Sequence, residues 1–565
     1  MKRFLPGSII PYLVCLHALL FKADEIEHLR LEQRLELLAT ISSLQNPQQD
    51  PKPLLDLSER IVLTDQFPFQ SLVKLDLPLA QHLTQEYPPL QLTTLKFLEK
   101  AKDSIADVNW IASDRELVQA LIHLWLRSEE TEVASLAEDV IVRLLARGDL
   151  FICDLNLDAT RAENALWRRI FKDKDIYASV MASCSLPSGG SRNAVTTAQG
   201  RLLSFLLKVR AGPAWLTQFE DVQAKYGQPG DPWGLLSFAI GNMVDLEDDL
   251  MVPILIDFCK DLISRPTYSL VNGMTSYHSD ESIALEVDIL RMYGRHEWCL
   301  NHYLSASTAS WVVPHSAEYI STFAQHFPKL LLSSPQFKLI VQRLETSFSR
   351  SLRAWADVPS NDLLILPSLP QKSLRSGRDT LINFIPPVNQ PLVIYALSQC
   401  FRGGVASRMS YFLYLNKHPD LWSRIIEMCE TISLLDSALA AHSFINSIAT
   451  ANWSPLPDTE EGDFPTEAWL NDICSTAPTG IEALMMPGVE ELLIPYLLRP
   501  PIMFGGGDEA SSAWQVARAK HDVLQVIYQK ATLPEEISSR MEERIRAGPL
   551  SGDSRVGGEI GTMEK

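Results

Sequence analysis

Residues 113–148 read SDRELVQALIHLWLRSEETEVASLAEDVIVRLLARG, and this stretch decides the fold. Ser113 followed three residues later by Glu116 has the form of a capping box. Leu117, Leu121, Leu124 and Trp125 then share one face of a helix of about three turns. After a polar break at Arg127–Glu130, Val133, Leu136, Ala137, Val140, Ile141, Leu144 and Leu145 recur at spacings of three and four until Gly148 offers a left-handed stop. Neither helix can bury its apolar stripe on the other alone. The pair therefore needs a pair before it and another after it, which predicts an all-α chain built as an α-solenoid.

Outward from this stretch the same periodicity continues. Asp24 to Leu38 reads as a first, charged helix, and Pro88-Pro89 opens another with Leu92, Leu95 and Leu98 on one side. Segments 162–171, 194–209, 233–243, 253–263, 280–293, 316–327 and 336–355 all carry apolar residues at helical spacing. The expectation is a HEAT/armadillo-like α-solenoid of about ten helix pairs. Its N-terminal part covers 1–357, and 358–391, with Pro367, Pro370, Pro386, Pro387 and Pro391, reads as a proline-rich insertion. Further helical repeats follow over 392–546, then a disordered tail over 547–565. Loops are expected at 454–466 and at Gly505–Gly507. Asn272-Gly273 has the form of a hairpin turn, although a loop between helices suits its surroundings better.

Composition narrows the function. A hydrophobic fraction of 46% with 21% charged residues is that of a chain with a substantial core, and a mean hydropathy of zero excludes general disorder. The net charge of −19, with no basic stripe, argues against nucleic acid and for a basic protein partner. Eight cysteines stand singly (Cys15, Cys153, Cys184, Cys259, Cys299, Cys400, Cys429 and Cys474) with no C-x-x-C pair, as expected of small buried hydrophobes in a reducing compartment. Lys2-Arg3 followed by the apolar run Phe4–Phe21 has the charge and length of a signal peptide. Pro6, Pro11 and the Phe21-Lys22-Ala23 exit fit a capping helix or an uncertain chain start better. No later segment is long and apolar enough to span a membrane.

Catalytic and ligand-binding patterns are sparse. Gly505–Gly507 and Ser188–Ser191 lack the strand and the Lys-Ser/Thr ending of a phosphate loop. His296, Cys299 and His302 miss the i, i+4 spacing of a zinc helix, and buried or surface side chains are the plainer reading. Asp245, Glu247, Asp248 and Asp249 lack the glycine and distant glutamate of a calcium loop. They read either as a solvated turn heading the next helix or, more sharply, as a docking patch for a basic partner. Trp125, Trp355 and Trp453 are expected in the core. No catalytic, cofactor-binding or metal-ligating residue is assigned, and no enzymatic activity is expected.

Towards the C-terminus, DSALAAHSFINSIATANW (436–453) places Ala438, Ala441, Ile445 and Ile448 on one face, with Trp453 as an aromatic lid. This segment resembles the penultimate repeat of proteasome non-ATPase regulatory subunit five and its fungal relatives. Residues 486–493 (MPGVEELL), 520–528 and 544–549 follow in the order of that family's tail. The junction at Pro500-Pro501 departs from the family, which uses charged residues there. The resemblance implies an assembly chaperone of the proteasome regulatory particle. Such a chaperone is a HEAT/armadillo-like solenoid that holds the C-terminal domain of one base ATPase subunit while the ring is built. A monomer in the cytoplasm, with the nucleus also open, and no membrane or nucleic-acid partner is expected. The alternative is a helical-repeat scaffold for another complex or for transport.

Overall fold

The structure, a computed structural model, describes residues 29–43, 51–64, 67–146, 165–186, 191–209, 219–226, 234–264, 285–370, 381–387, 390–453, 468–501 and 510–550. The N-terminal apolar run, Asn272-Gly273, Gly148, Gly505–Gly507 and 551–565 lie outside them. All regular structure among the described residues is helical, with one isolated parallel bridge between Gly403 and Asn452. Two compact units divide the chain, Met1–His296 and Glu297–Lys565.

In the first unit α1 (Leu31–Ser43) packs on α2 (Lys52–Val62), and the chain then proceeds in threes. The first triplet is α3 (Phe69–Val73), α4 (Leu79–Thr84) and α5 (Pro88–Glu99). Next come α6 (Ile105–Ser113), α7 (Arg115–Arg127) and α8 (Thr131–Ala146). They are followed by α9 (Ala165–Phe171), α10 (Lys174–Cys184) and α11 (Arg192–Lys208). The last set is α12 (Glu220–Tyr226), α13 (Gly234–Ser237) and α14 (Met251–Ser264), with α15 (Leu285–Met292) beyond it. Third members stack in sequence, α2 on α5, α5 on α8, α8 on α11 and α11 on α14. The second members α4, α7 and α10 do likewise, and α6 packs on α9. The repeat is therefore an armadillo-like set of three helices rather than a pair. Stretch 113–148 holds the second and third helices of one set, and the first is hidden because a single residue separates α6 from α7.

That single residue is Asp114, which corrects the expected capping box. Asp114 has extended backbone and its carboxylate accepts the Leu117 N–H at 3.0 Å. Ser113 is still helical, and its hydroxyl turns back to the Trp110 carbonyl at 2.6 Å. The two apolar stripes are as read except at Leu136, which is only partly buried: Leu117, Leu121, Leu124, Trp125, Val133, Ala137, Val140, Ile141, Leu144 and Leu145 are buried. Segment 233–243 is helical with a difference, since α13 runs into a π turn at Phe238–Asn242.

The second unit follows the same plan. After α16 (Arg295–Leu304), inside which the unit boundary falls, come α17 (Val313–His326), α18 (Pro328–Ser333), α19 (Pro335–Phe348), α20 (Ser360–Ile365) and α21 (Pro391–Cys400). A triplet of α22 (Gly404–Lys417), α23 (Leu421–Glu430) and α24 (Leu435–Ala449) follows. The last set is α25 (Ala468–Thr476), α26 (Gly480–Leu484), α27 (Glu490–Leu498) and α28 (Ser512–Lys530), closed by α29 (Glu535–Arg546). Equivalent helices again meet: α21, α24 and α28 stack in order, α22 packs on α25 and α23 on α27.

Two expectations change in this unit. Segment 336–355 is not one helix, because α19 ends at Phe348 and a 3-10 turn at Leu352–Ala356 carries Trp355 into the core. Much of 358–391 is packed structure and not a loop: Leu363, Ile365, Leu366, Leu369, Leu381, Ile382 and Ile385 are all buried. Proline here starts helices and sets turns instead of marking exposed chain, as Pro391 does at the head of α21. The beginning of 547–565 is also held, since Arg544 donates to the carbonyls of Gly548 at 2.5 Å and Pro549 at 3.3 Å.

Candidate functional site

Residues 245–249 form the turn that carries the chain from the π turn into α14. Two of the four acids are used locally. Asp245 accepts the Glu247 N–H at 3.0 Å and pairs with Arg192 at 2.8 Å. Asp248 accepts the N–H groups of Leu250 at 3.0 Å and Met251 at 3.3 Å, and lies 3.6 Å from Arg192. It thus caps α14, as the plainer sequence reading has it. Glu247 and Asp249 point outward, exposed, with no ion-pair partner among the described residues, and between them and α14 stands Leu250, 78% exposed. The turn is a braced, anionic surface element.

In the second unit a cleft of about 190 Å³ is lined by Arg343, Arg350, Asp357, Val358, Pro359, Ser360, Asn361 and Asp362. Asp362, buried on α20, forms its floor. The Tyr303 hydroxyl of α16 donates to one carboxylate oxygen at 2.5 Å, and Ser347 of α19 donates to the other. Arg343 stands 3.5 Å from the carboxylate, donates to the Tyr303 carbonyl, and sits 4.0 Å from the Tyr303 ring centroid. Burial, and then the Asp362 charge, push the Tyr303 phenol well above its ordinary range. A carboxylate with both oxygens occupied and a tyrosine held protonated make a clasp between three helices, not an acid–base pair.

A second polar cluster lies inside the same unit. His442 of α24 donates from Nδ1 to the Ala438 carbonyl at 2.7 Å, which leaves Nε2 to accept from the Tyr496 hydroxyl at 2.7 Å. The Cys429 thiol lies beside the same hydroxyl. Lys520 of α28, 5% exposed, donates to the Arg499 carbonyl at 2.8 Å, and its Nζ is 4.0 Å from the Tyr496 ring centroid. Burial lowers the His442 pKa to about 4 and raises the Cys429 thiol. It also lowers Lys520, with Arg544 and Arg499 adding to the effect, to about 7. Sequence reading passed over this cluster. The available signal was that His442 and Lys520 fall on the buried stripes of their helices, where an apolar residue is expected.

Burial explains the remaining candidates. His296 is buried and its pKa falls to about 4, Cys299 is buried, and burial also lowers His302. Among the described residues no group of three or more His, Cys, Asp or Glu side chains is placed to hold a metal ion, and no helix is long and apolar enough to cross a membrane. Trp125, Trp355 and Trp453 are all core residues, and Trp453 donates from its indole to the Phe401 carbonyl at 2.8 Å.

No family model matches the sequence, and neither does any curated protein. Solved structures do. An engineered protein, a structural genomics target, is similar over 88% of this chain and 100% of its own, at 11% identity and a TM-score of 0.34. Importin beta, crystallised in a polyethylene glycol condition, is similar over 91% of this chain and 60% of its own, at 11% identity and a TM-score of 0.46. The chain is a helical-repeat solenoid by its own packing: triplets of helices whose equivalent members stack one on the next.

Proposed function

We propose that this chain is an assembly chaperone of the proteasome regulatory particle that binds the C-terminal domain of a base ATPase subunit during ring assembly. The observation that carries the reading is the role of the segments that resemble the family's tail. Ala438, Ala441, Ile445 and Ile448 are fully buried on α24, which is packed by α21, α23, α26 and α28, so the motif is the central helix of the second unit. A stack of rigid triplets needs no nucleotide or catalytic group to act. It occupies a partner's surface and withholds it from a wrong neighbour until a competitor displaces it. The braced turn at 245–249 supplies outward carboxylates, Glu247 and Asp249, that would speed encounter with a basic face.

The test is direct binding of purified full-length chain to the separate C-terminal domains of the proteasomal ATPases, beside a pull-down from cell extract. Saturable binding to one domain, with ATPases but no core-particle subunits in the pull-down, is the expected result. Binding to none of them, with transport factors or other assemblies recovered instead, would replace this reading by that of a scaffold for another complex. Reversing Glu247 and Asp249 to Lys is expected to slow association and weaken its salt dependence, leaving the dissociation rate largely unchanged.

A further inference from the structure

We propose that docking of the last two helices of the second unit is proton-linked through Lys520, whose ammonium form opposes the docking and whose free amine permits it. The geometry is a cluster of groups converging on one buried amine. From α23 come Cys429 and Glu430, from α24 His442, from α27 and its end Tyr496 and Arg499, and from α29 Arg544. Glu430 is the one carboxylate in this set; its charge favours the ammonium, and the Arg499 guanidinium paired with it at 2.6 Å works against it. Arg544, itself buried, is anchored to the Gly548 and Pro549 carbonyls and cannot swing away to solvent. A charged Lys520 therefore sets α28 against α29 across two like charges in a space that water barely reaches. Among the described residues, one carbonyl and one aromatic face are what replace its hydration.

Loss of the proton removes both the repulsion and the buried charge. Burial together with Arg544 and Arg499 brings the crossover to about pH 7, whereas the unfolded side chain titrates near 10.5. Between these values the docked state binds fewer protons than the undocked one, so docking strengthens as pH rises.

Hydrogen exchange of the full chain, read by mass spectrometry on peptides covering 512–530 and 535–546 and normalised for intrinsic exchange, tests this. In the wild type, protection is expected to rise about tenfold between about pH 7 and about pH 8.5. In Lys520→Met the rise should vanish, with protection at or above the wild-type alkaline level. In Lys520→Arg, which stays charged, it should vanish at or below the wild-type neutral level. A wild type without the rise, or a Met variant that keeps it, overturns the proposal. Should the Met variant fail to fold, the Arg variant decides alone: a flat profile supports the link, and a tenfold rise refutes it.

Discussion

Gly480 closes against the backbone carbonyl of Ile448 so tightly that a Cβ there would lie 1.9 Å from the carbonyl oxygen and 3.2 Å from the Ala451 methyl. Gly480 is the first residue of α26, which is set by a full capping box between Thr479 and Glu482 and packs on α24. Its neighbour is backbone and cannot rotate aside. Gly480→Ala is therefore expected to destabilise the second unit by about 1–3 kcal/mol, read as a lower urea midpoint. Gly200, inside α11 with open space around its missing Cβ, is the control. Gly200→Ala should stabilise by about 0.5–1 kcal/mol. Equal effects at the two sites would contradict the packing described.

The π turn of the first unit depends on Arg295. Its guanidinium donates from Nε to the Ile240 carbonyl at 2.7 Å and from a terminal nitrogen to the Gly241 carbonyl at 2.8 Å. These carbonyls belong to the π turn, and Gly241 faces the Tyr293 ring closely enough that a Cβ would be 2.7 Å away. Arg295→Met keeps the aliphatic stem and removes both donors. A loss of about 2 kcal/mol in unfolding free energy is expected, with Arg295→Lys losing less. If Met and Lys behave alike, the paired donation does not hold the turn.

The cap of α7 separates the sequence reading from the structure at one residue. Asp114→Ala should lower stability by about 1 kcal/mol, while Ser113→Ala should change it by less than about 0.5 kcal/mol. Thermal unfolding of the two variants side by side gives the answer, and the reverse order would restore Ser113 as the cap.

That one-residue shift shows how the sequence could be read and where it could not. Apolar spacing is a local property, so the stripes of α7 and α8 and the face of α24 were legible directly. What local spacing does not carry is the identity of a terminus when two helices are joined by one residue, because Ser113 and Asp114 are both good caps and only the path of α6 decides between them. The 358–391 segment misled for a related reason: its prolines mark helix starts and turns, and burial of Leu363 and Leu366 depends on α17 and α21, distant in sequence. At the candidate sites, the acidic run was visible, but its division into structural Asp245 and Asp248 and outward Glu247 and Asp249 required Arg192, more than fifty residues away. The Lys520 cluster draws on five elements and no short motif, so no spacing rule could assemble it.

His442 makes the second unit acid-sensitive in a defined window. Burial is the main cause that lowers its pKa from 6.5 to about 4, opposed by the hydrogen bond to the Ala438 carbonyl and assisted by the Lys520 charge. The neutral ring suits its place, since Nδ1–H serves Ala438 and the Nε2 lone pair serves the Tyr496 hydroxyl; a second ring proton would meet a donor. Between about pH 6.5 and pH 4 the unfolded chain binds a proton that the folded chain refuses. Stability is thus fully present above about pH 6.5 and falls by up to about 3 kcal/mol as pH drops to 4. His442→Gln removes the titrating group while keeping polar atoms near both partners. Its deficit against the wild type, measured by urea unfolding across this range, should be largest near neutrality and shrink steadily on acidification. Parallel curves for the two proteins would show that His442 takes its proton with equal ease in both states.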